Sequence, residues 1–249
     1  MRKAMCLIVM VFLLSVATQS WADDYLKIRH VNEAYEVMGQ KQPATEEIVE
    51  TWLSGNKARM NSGTSSSVIL RGDKQVMYML DHDKRAYAEV PMDLSQAMTG
   101  MMGDQGGDQQ MAQMMAEMMG AMMKINASVR DTGATKTVND WNCRVYELNM
   151  KMPMGNTVSE ICATEDIDVD MSVYHKIGHA MMAGQQGFDD LIKEMEKIKG
   201  VSVLTVSKAT VMGATIVSRE ELLEHKKMTP PAGSFDIPEG YTRQDFMGM

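Results

Sequence analysis

The 249-residue sequence lacks the short motifs that mark common catalytic sites. It has no His-Glu-x-x-His zinc motif, no Gly-x-Ser-x-Gly nucleophile turn and no glycine-rich phosphate loop. Ser54 and Lys57 have the spacing of a Ser/Lys catalytic pair, but they fall in a predicted turn between strands. Asp166, Asp168 and Asp170 lack the glycine and distal glutamate of a calcium loop, and capping of a following helix explains them better. We therefore expect a non-catalytic protein.

Positive charge is also in deficit. Lys and Arg number 25 against 33 Asp and Glu, which gives a formal net charge of −8 at pH 7. Proteins that bind nucleic acid or anionic headgroups need Lys and Arg to neutralise phosphates. The composition therefore argues against nucleic-acid partners.

Long apolar runs are absent beyond the N-terminus. Two basic residues precede an apolar stretch at 4–17, and small residues stand at the −3 and −1 positions of a cut before Asp23. This order is that of a cleavable secretory signal, and the stretch is shorter than the about 20 residues of a membrane span. We predict that residues 1–22 are removed and that residues 23–249 form a single periplasmic domain, not an integral membrane protein.

Cysteine is scarce. Of three cysteines, Cys6 lies in the predicted signal, which leaves Cys143 and Cys162. Each lies in a strand-like segment at a comparable distance from a predicted turn at 153–156, so strand pairing would bring them together. An exported pair favours a disulfide, which would contribute about 3 kcal/mol by restricting the unfolded chain. Two unpaired buried thiols are the alternative, and the absence of a Cys-x-x-Cys spacing disfavours a metal site.

The remaining sequence alternates between strand-like and helix-like stretches. Short apolar segments separated by turn residues fill 24–90, which is typical of an antiparallel meander. A Met-, Ala- and Gln-rich stretch at about 93–124 predicts a helical insert, and about 170–199 predicts a second helical region. Strands are expected between them and again at 201–206 and 210–217, with a continuation of the second towards His225. This order predicts an α+β fold in which helices pack on the concave face of a curved antiparallel sheet.

Several phrases along the chain resemble a known family. They are Trp52-Leu-Ser-Gly-Asn-Lys-Ala-Arg-Met60, Arg71-Gly-Asp-Lys74, Met79-Leu-Asp-His-Asp-Lys-Arg-Ala-Tyr-Ala-Glu-Val-Pro91, Asn142-Cys-Arg-Val-Tyr146 and Phe235-Asp-Ile-Pro-Glu-Gly-Tyr241. In this order, over most of the chain, they resemble an uncharacterised bacterial envelope family, domain of unknown function 4412. The resemblance implies a fold similar to the LolA and LolB half-barrels of lipoprotein carriers, with a concave apolar face plugged by helices. It implies no catalytic residue. The family's usual Gly-Tyr before the cysteine is replaced here by Asp140-Trp-Asn142.

Methionine is the most over-represented residue, with 29 in the chain. Seven methionines in the first predicted helix follow the 3.6-residue period and cover about half of its circumference. The other half is mostly small residues. The seven are Met111, Met114, Met115, Met118, Met119, Met122 and Met123.

Three roles for this methionine face remain open. It could be ordinary core, because methionine is an adaptable filler, or it could bind an apolar lipid, acyl or lipoprotein-type ligand. It could also bind Cu(I), since thioethers select soft metals. A second candidate set of copper ligands lies on the other predicted helix, where two histidines are one turn apart and a methionine is on the same side. A pair of histidines that simply face solvent is the alternative interpretation of this spacing. That set is His175, His179 and Met182.

Overall fold

The computed structural model describes residues 23–92, 124–153, 155–170, 187–211 and 213–245. Within these ranges the chain forms 14 strands and one helix. They are β1 (Asp24–Asn32), β2 (Tyr35–Val37), β3 (Gln40–Gln42), β4 (Thr45–Ser54), β5 (Lys57–Ser62), β6 (Ser66–Arg71), β7 (Val76–Asp81), β8 (Ala86–Pro91), β9 (Asn126–Val138), β10 (Trp141–Met152), β11 (Gly155–Thr164), α1 (Phe188–Met195), β12 (Val201–Val211), β13 (Ala214–Lys227) and β14 (Thr242–Arg243).

Twelve strands form one sheet, in the order β14-β8-β7-β6-β5-β4-β1-β13-β12-β11-β10-β9. All neighbours are antiparallel except β14, which pairs in parallel with β8, so the sheet is mixed. Strand β1 lies in the middle, where Asp24 pairs with Leu53 of β4 and with Lys227 of β13. The first described strand therefore joins the two halves of the sheet. Strands β2 and β3 form a separate small hairpin.

The predicted α+β class, with helices packed on the concave face of a half-barrel, is wrong. The described residues are mostly strand, the sheet order is open because β14 and β9 do not pair, and α1 is the single described helix. Part of the error has a local cause. Two predicted strands at 125–130 and 135–139 merge into β9, which spans a bulge near Asp131, so more of the chain is strand than its turn signals suggested. The predicted helical stretches at 93–123 and 171–186 lie outside the described residues.

Strand prediction was better in the first half of the chain. Strands β4 to β8 confirm the expected meander, because alternating apolar residues and tight turn signals act locally. Towards the C-terminus the two predicted strands are present, and β13 runs on past His225 to Lys227, in line with the expected continuation. The turn between them was placed wrongly, because it follows Val211 and not residue 206.

Apolar residues occupy both faces of the sheet. The main core lies on one face and receives side chains from nearly every strand between β8 and β9. On the other face, a cluster around Tyr146 and Leu148 packs against Leu191 of α1. Gly187 begins that helix with a φ of 85°, and a Cβ there would lie 1.9 Å from the carbonyl oxygen of Ile125. Only glycine therefore lets α1 sit so close to the start of β9.

No helix in the described part of the chain is long and apolar enough to cross a membrane.

Candidate functional site

A row of buried apolar side chains crosses five neighbouring strands on the main-core face. The strand registers place its members directly opposite one another, from β4 to β8, and none is more than 8% exposed. They are Leu53, Ala58, Leu70, Met77 and Val90.

The same face becomes partly open two residues further along the strands. Met60, Val68 and Met79 are direct partners on β5, β6 and β7, and all three are half-buried against the main core. We call these three residues the apolar rim. Strands lie about 4.8 Å apart, so the rim is about 10 Å long. The next row is polar, with Ser66 opposite Asp81, so the apolar surface ends there.

Two connections join the same core from outside the sheet. Met92, which follows β8, is 4% exposed in the main core, and Ile167, which follows β11, is 6% exposed there. Val169 packs against the same core. Met92, Ile167 and Val169 therefore lie on the face that carries the apolar rim.

A buried carboxylate ties the β9–β10 turn to the centre of the sheet. The Glu221 side chain is 8% exposed, and its Oε2 accepts a 2.7 Å hydrogen bond from Arg29 Nη2 and a 3.2 Å bond from Arg219 Nη2. Asn139, in the turn, donates to Glu221 Oε1 at 3.3 Å and to the Leu222 carbonyl at 3.0 Å. These hydrogen bonds hold the β9–β10 turn against β13, so the end of the sheet at β9 curves back towards β13.

The electrostatics of this cluster favour the ionised carboxylate. Hydrogen bonding from Arg29 is the main reason that the pKa of Glu221 is lowered, and Arg219 adds to it while burial opposes it. Arg29 Nε is buried and has no hydrogen-bond partner among the described residues. The cluster has no free nucleophile, and it serves to position Val138 and Trp141, which flank the turn, in the main core.

A second polar network lies on the opposite face of the sheet. His82 Nδ1 lies 2.5 Å from Tyr241 Oη, and His82 Nε2 lies 2.6 Å from Ser67 Oγ. Ser67 Oγ donates to Asn61 Oδ1 at 2.8 Å. Because the hydroxyl has one proton and gives it to Asn61, Nε2 must donate to Ser67, and Nδ1 then accepts from Tyr241. Burial, and then the charge of Arg59, lower the pKa of His82, which favours this neutral form.

The Ser67–His82 distance is that of a nucleophile and its base, but the surroundings do not support catalysis. Ser67 is only 2% exposed, and its proton is directed to Asn61 and not to the imidazole. A substrate carbonyl cannot reach the hydroxyl. The network instead fastens the C-terminal segment to the sheet.

Arginines on the sheet hold that segment, residues 231–243, at further points. Arg59 Nη1 donates to the Ser234 carbonyl at 3.1 Å, and Arg71 Nη1 donates to the Phe235 carbonyl at 3.1 Å. The apolar side chains of the segment cover a third cluster on β6 and β7. The segment contributes Phe235, Ile237 and Tyr241, and the sheet contributes Ile69, Tyr78 and Leu80.

Removing one hydroxyl should loosen this segment. Tyr241→Phe keeps the ring but leaves His82 Nδ1 without a donor, so we expect a loss of about 1 kcal/mol in local stability. Hydrogen exchange of the Thr242 and Gln244 amides, which bond to β8, measures it. Tyr87→Phe is the matched control, because Tyr87 packs in the same cluster and its hydroxyl makes no hydrogen bond to described residues. Equal exchange in the two variants would contradict the role of the network.

The predicted disulfide is confirmed. Cys143 on β10 and Cys162 on β11 are bonded, with their Cα atoms 5.3 Å apart. Both are at most 3% exposed and belong to the main core. The bond is compatible with export to an oxidising compartment.

The remaining predicted site residues lie outside the described residues. For the described ranges, no group of three or more His, Cys, Asp or Glu side chains is arranged to hold a metal ion. The residues outside are Met111, Met114, Met115, Met118, Met119, Met122 and Met123, and the candidate copper ligands His175, His179 and Met182.

Sequence reasoning missed the apolar rim and the Ser67–His82 network. The sequence did carry a signal for the rim, because the spacing of two residues places Val68 and Leu70 on one face of their strand and Met77 and Met79 on one face of the next. The network had none, because the stretch at 62–67 reads as a mobile Gly/Ser/Thr loop, whereas Ser67 lies in β6.

No protein-family model matches the chain, and comparison with curated proteins finds no match. The resemblance to the envelope family therefore stays a prediction.

Proposed function

We propose that this chain is a non-catalytic periplasmic binding protein that holds an apolar acyl chain on the main-core face of its sheet. The apolar rim of Met60, Val68 and Met79 carries this proposal, because it leaves half-buried apolar surface beside a fully buried row. Covering this surface with an alkyl chain would contribute about 25 cal/mol for each Å² removed from water.

The chemistry of the rim suits an acyl chain better than a polar ligand. Methionine side chains are flexible and adapt to ligands of different shape. No charged side chain belongs to the rim, and the polar row at Ser66 and Asp81 begins where it ends. An amphiphile could lay its chain over the rim and turn its headgroup towards the polar row of Ser66 and Asp81. The methionine-rich stretch follows Met92 in sequence, and the proposal extends to its predicted apolar face.

The test is a titration with a fluorescent fatty acid, supported by native mass spectrometry of the protein purified from its own envelope. We expect saturable binding by the wild type and at least a tenfold loss in Met79→Glu, because a carboxylate would be desolvated under the chain. Met152→Glu is the matched control, since Met152 is 39% exposed at the far end of β10. It should bind like the wild type.

A neutral substitution at Met79 tests whether a loss of binding is caused by misfolding. Met79→Gln should bind weakly while keeping the far-UV spectrum of the wild type. Absence of binding by the wild type, or equal binding by the Met79 and Met152 variants, would refute the proposal. Saturable Cu(I) binding without acyl binding would replace it by the copper alternative.

A further inference from the structure

A cavity of about 340 Å³ lies beside the disulfide, away from the apolar rim. It is formed by residues of β9, β10 and β11, by the bend after β11 and by Lys199, which lies two positions before β12. Its volume is at the lower end of the range of small-molecule sites, about 300–1,000 Å³. Its lining includes Arg144, Tyr146, Ala163, Glu165, Asp166 and Lys199.

One side of the cavity carries positive charge that is only partly used. Arg144 Nε donates to Asp131 Oδ2 at 2.6 Å, but the two terminal nitrogens of its guanidinium have no partner among the described residues. The side chain is 52% exposed, so these nitrogens are accessible. Lys199 Nζ donates to the Glu196 carbonyl and to no carboxylate in the described part of the chain. A planar fork of this kind binds a carboxylate through two parallel hydrogen bonds.

The other side of the cavity carries negative charge. Glu165 and Asp166 are exposed neighbours in the bend after β11. Neither carboxylate has a hydrogen bond or ion pair within the described ranges, and Asp166 is anchored through its backbone N–H, which donates to Thr164 Oγ1 at 3.2 Å. These carboxylates can accept hydrogen bonds from an ammonium group.

The floor between the two sides is small and largely apolar. Tyr146 is 3% exposed and Ala163 is 2% exposed. The Tyr146 hydroxyl accepts the backbone N–H of Lys199 at 3.4 Å, and its own proton has no acceptor among the described residues. The floor carries no charge, so the charged groups of a ligand would meet the two sides of the cavity.

We propose that this cavity binds a small zwitterion, a molecule with a primary ammonium and a carboxylate such as a free α-amino acid or a short peptide. The carboxylate lies on the Arg144 fork, and the ammonium lies against Glu165 and Asp166. The site is on the face opposite the apolar rim, because Tyr146 and Ala163 belong to the cluster under α1. It is independent of acyl binding.

The experiment is a titration of the full chain followed by backbone amide NMR. The probes are L-alanine, L-leucine, the dipeptide Ala-Leu, N-acetyl-L-leucine and L-leucine amide. We expect saturable shifts near Tyr146 and Lys199 with the zwitterions and at least a tenfold weaker affinity when either charge is blocked. A preference for leucine over Ala-Leu identifies a free amino acid, and the reverse identifies a peptide. No saturable shift with any probe, or equal affinity for the blocked forms, would overturn the site.

Matched variants locate the ligand. Arg144→Gln should weaken binding at least tenfold, whereas Arg130→Gln should not, although Arg130 pairs with Glu147 on the adjacent strand and is similarly exposed. Asp131→Asn removes the present partner of Arg144 but keeps the fork, so it should retain binding. Equal affinities in the Arg144 and Arg130 variants would overturn the assignment. Both positions are surface-exposed, so loss of fold does not confuse the comparison.

Discussion

Replacing both Cys143 and Cys162 by alanine should lower the free energy of unfolding by about 3 kcal/mol. The bond closes a loop with a sequence separation of 19, and the loss of unfolded-chain entropy for a loop of that size is worth about 3 kcal/mol. The bond also joins β10 to β11 within the main core, where both side chains are buried. Removing the bond therefore weakens the β10–β11 pair, which connects β9 at the end of the sheet to the remaining strands.

Denaturant unfolding of the oxidised wild type, the reduced wild type and the double-alanine variant measures this effect. The reduced wild type and the variant should unfold at similar, lower denaturant concentrations, with native far-UV spectra before the transition. A difference below about 1 kcal/mol would show that the reduced, unfolded chain already retains the restriction assigned to the bond.

Glu221→Ala is expected to cost about 3 kcal/mol. Removing one partner of a buried ion pair leaves the opposite charge uncompensated, which costs about 3–5 kcal/mol when both partners are buried. Here Arg29 and Arg219 are 37% and 45% exposed. Water can partly solvate them, so the lower end of that range applies. The variant also removes an acceptor from Asn139 and so weakens the tie between the β9–β10 turn and β13.

Glu221→Gln separates charge from shape. It keeps an acceptor for Asn139 but cannot form the ion pairs, so its loss at pH 7 should be smaller than that of the alanine variant. Glu89→Gln is a suitable control, since the Glu89 pair with Arg243 is on the surface and surface pairs contribute about 0–1 kcal/mol. Equal losses in the Glu221→Gln and Glu89→Gln variants would contradict the importance of the buried cluster.

The pH dependence of stability provides a further readout of the same carboxylate. Because the folded-state pKa of Glu221 is lowered, its contribution is complete above the unfolded value of about 4.3 and is lost as pH falls towards the folded-state pKa. The melting temperature should therefore fall less steeply from neutral to acid pH in Glu221→Gln than in the wild type. Parallel plots of melting temperature against pH for the two proteins would show that other carboxylates dominate acid unfolding.

The two proposed ligand sites can be tested separately because they occupy opposite faces of one sheet. Val145 and Cys162 point to the main core, whereas Tyr146 and Ala163 point to the cluster under α1. Successive side chains of a β-strand point to opposite faces of the sheet, which is why neighbouring residues belong to different clusters. A substitution at Met79 should consequently leave zwitterion binding unchanged, and a substitution at Arg144 should leave acyl binding unchanged.

The sequence by itself determined the features that depend on near neighbours. Alternating apolar residues and turn signals were enough to place β4 to β8, because each hairpin involves residues close in the chain. The disulfide was predictable for the same reason, since Cys143 and Cys162 lie on strands joined by one turn. The methionine and histidine candidates stay predictions, because they lie outside the described residues.

Only the tertiary structure decided how these pieces join. The pairing of β1 with both β4 and β13 brings together residues about 200 positions apart, as in Asp24 and Lys227, and no local pattern encodes such a contact. The same holds for Asn139 with Glu221 and for His82 with Tyr241. These long-range pairings set how many strands join one sheet and how long they run, and the 12-stranded sheet that results in the described residues is why the predicted α+β class was wrong. The apolar rim and the zwitterion cavity depend on the same contacts, so the sequence alone could not locate either site.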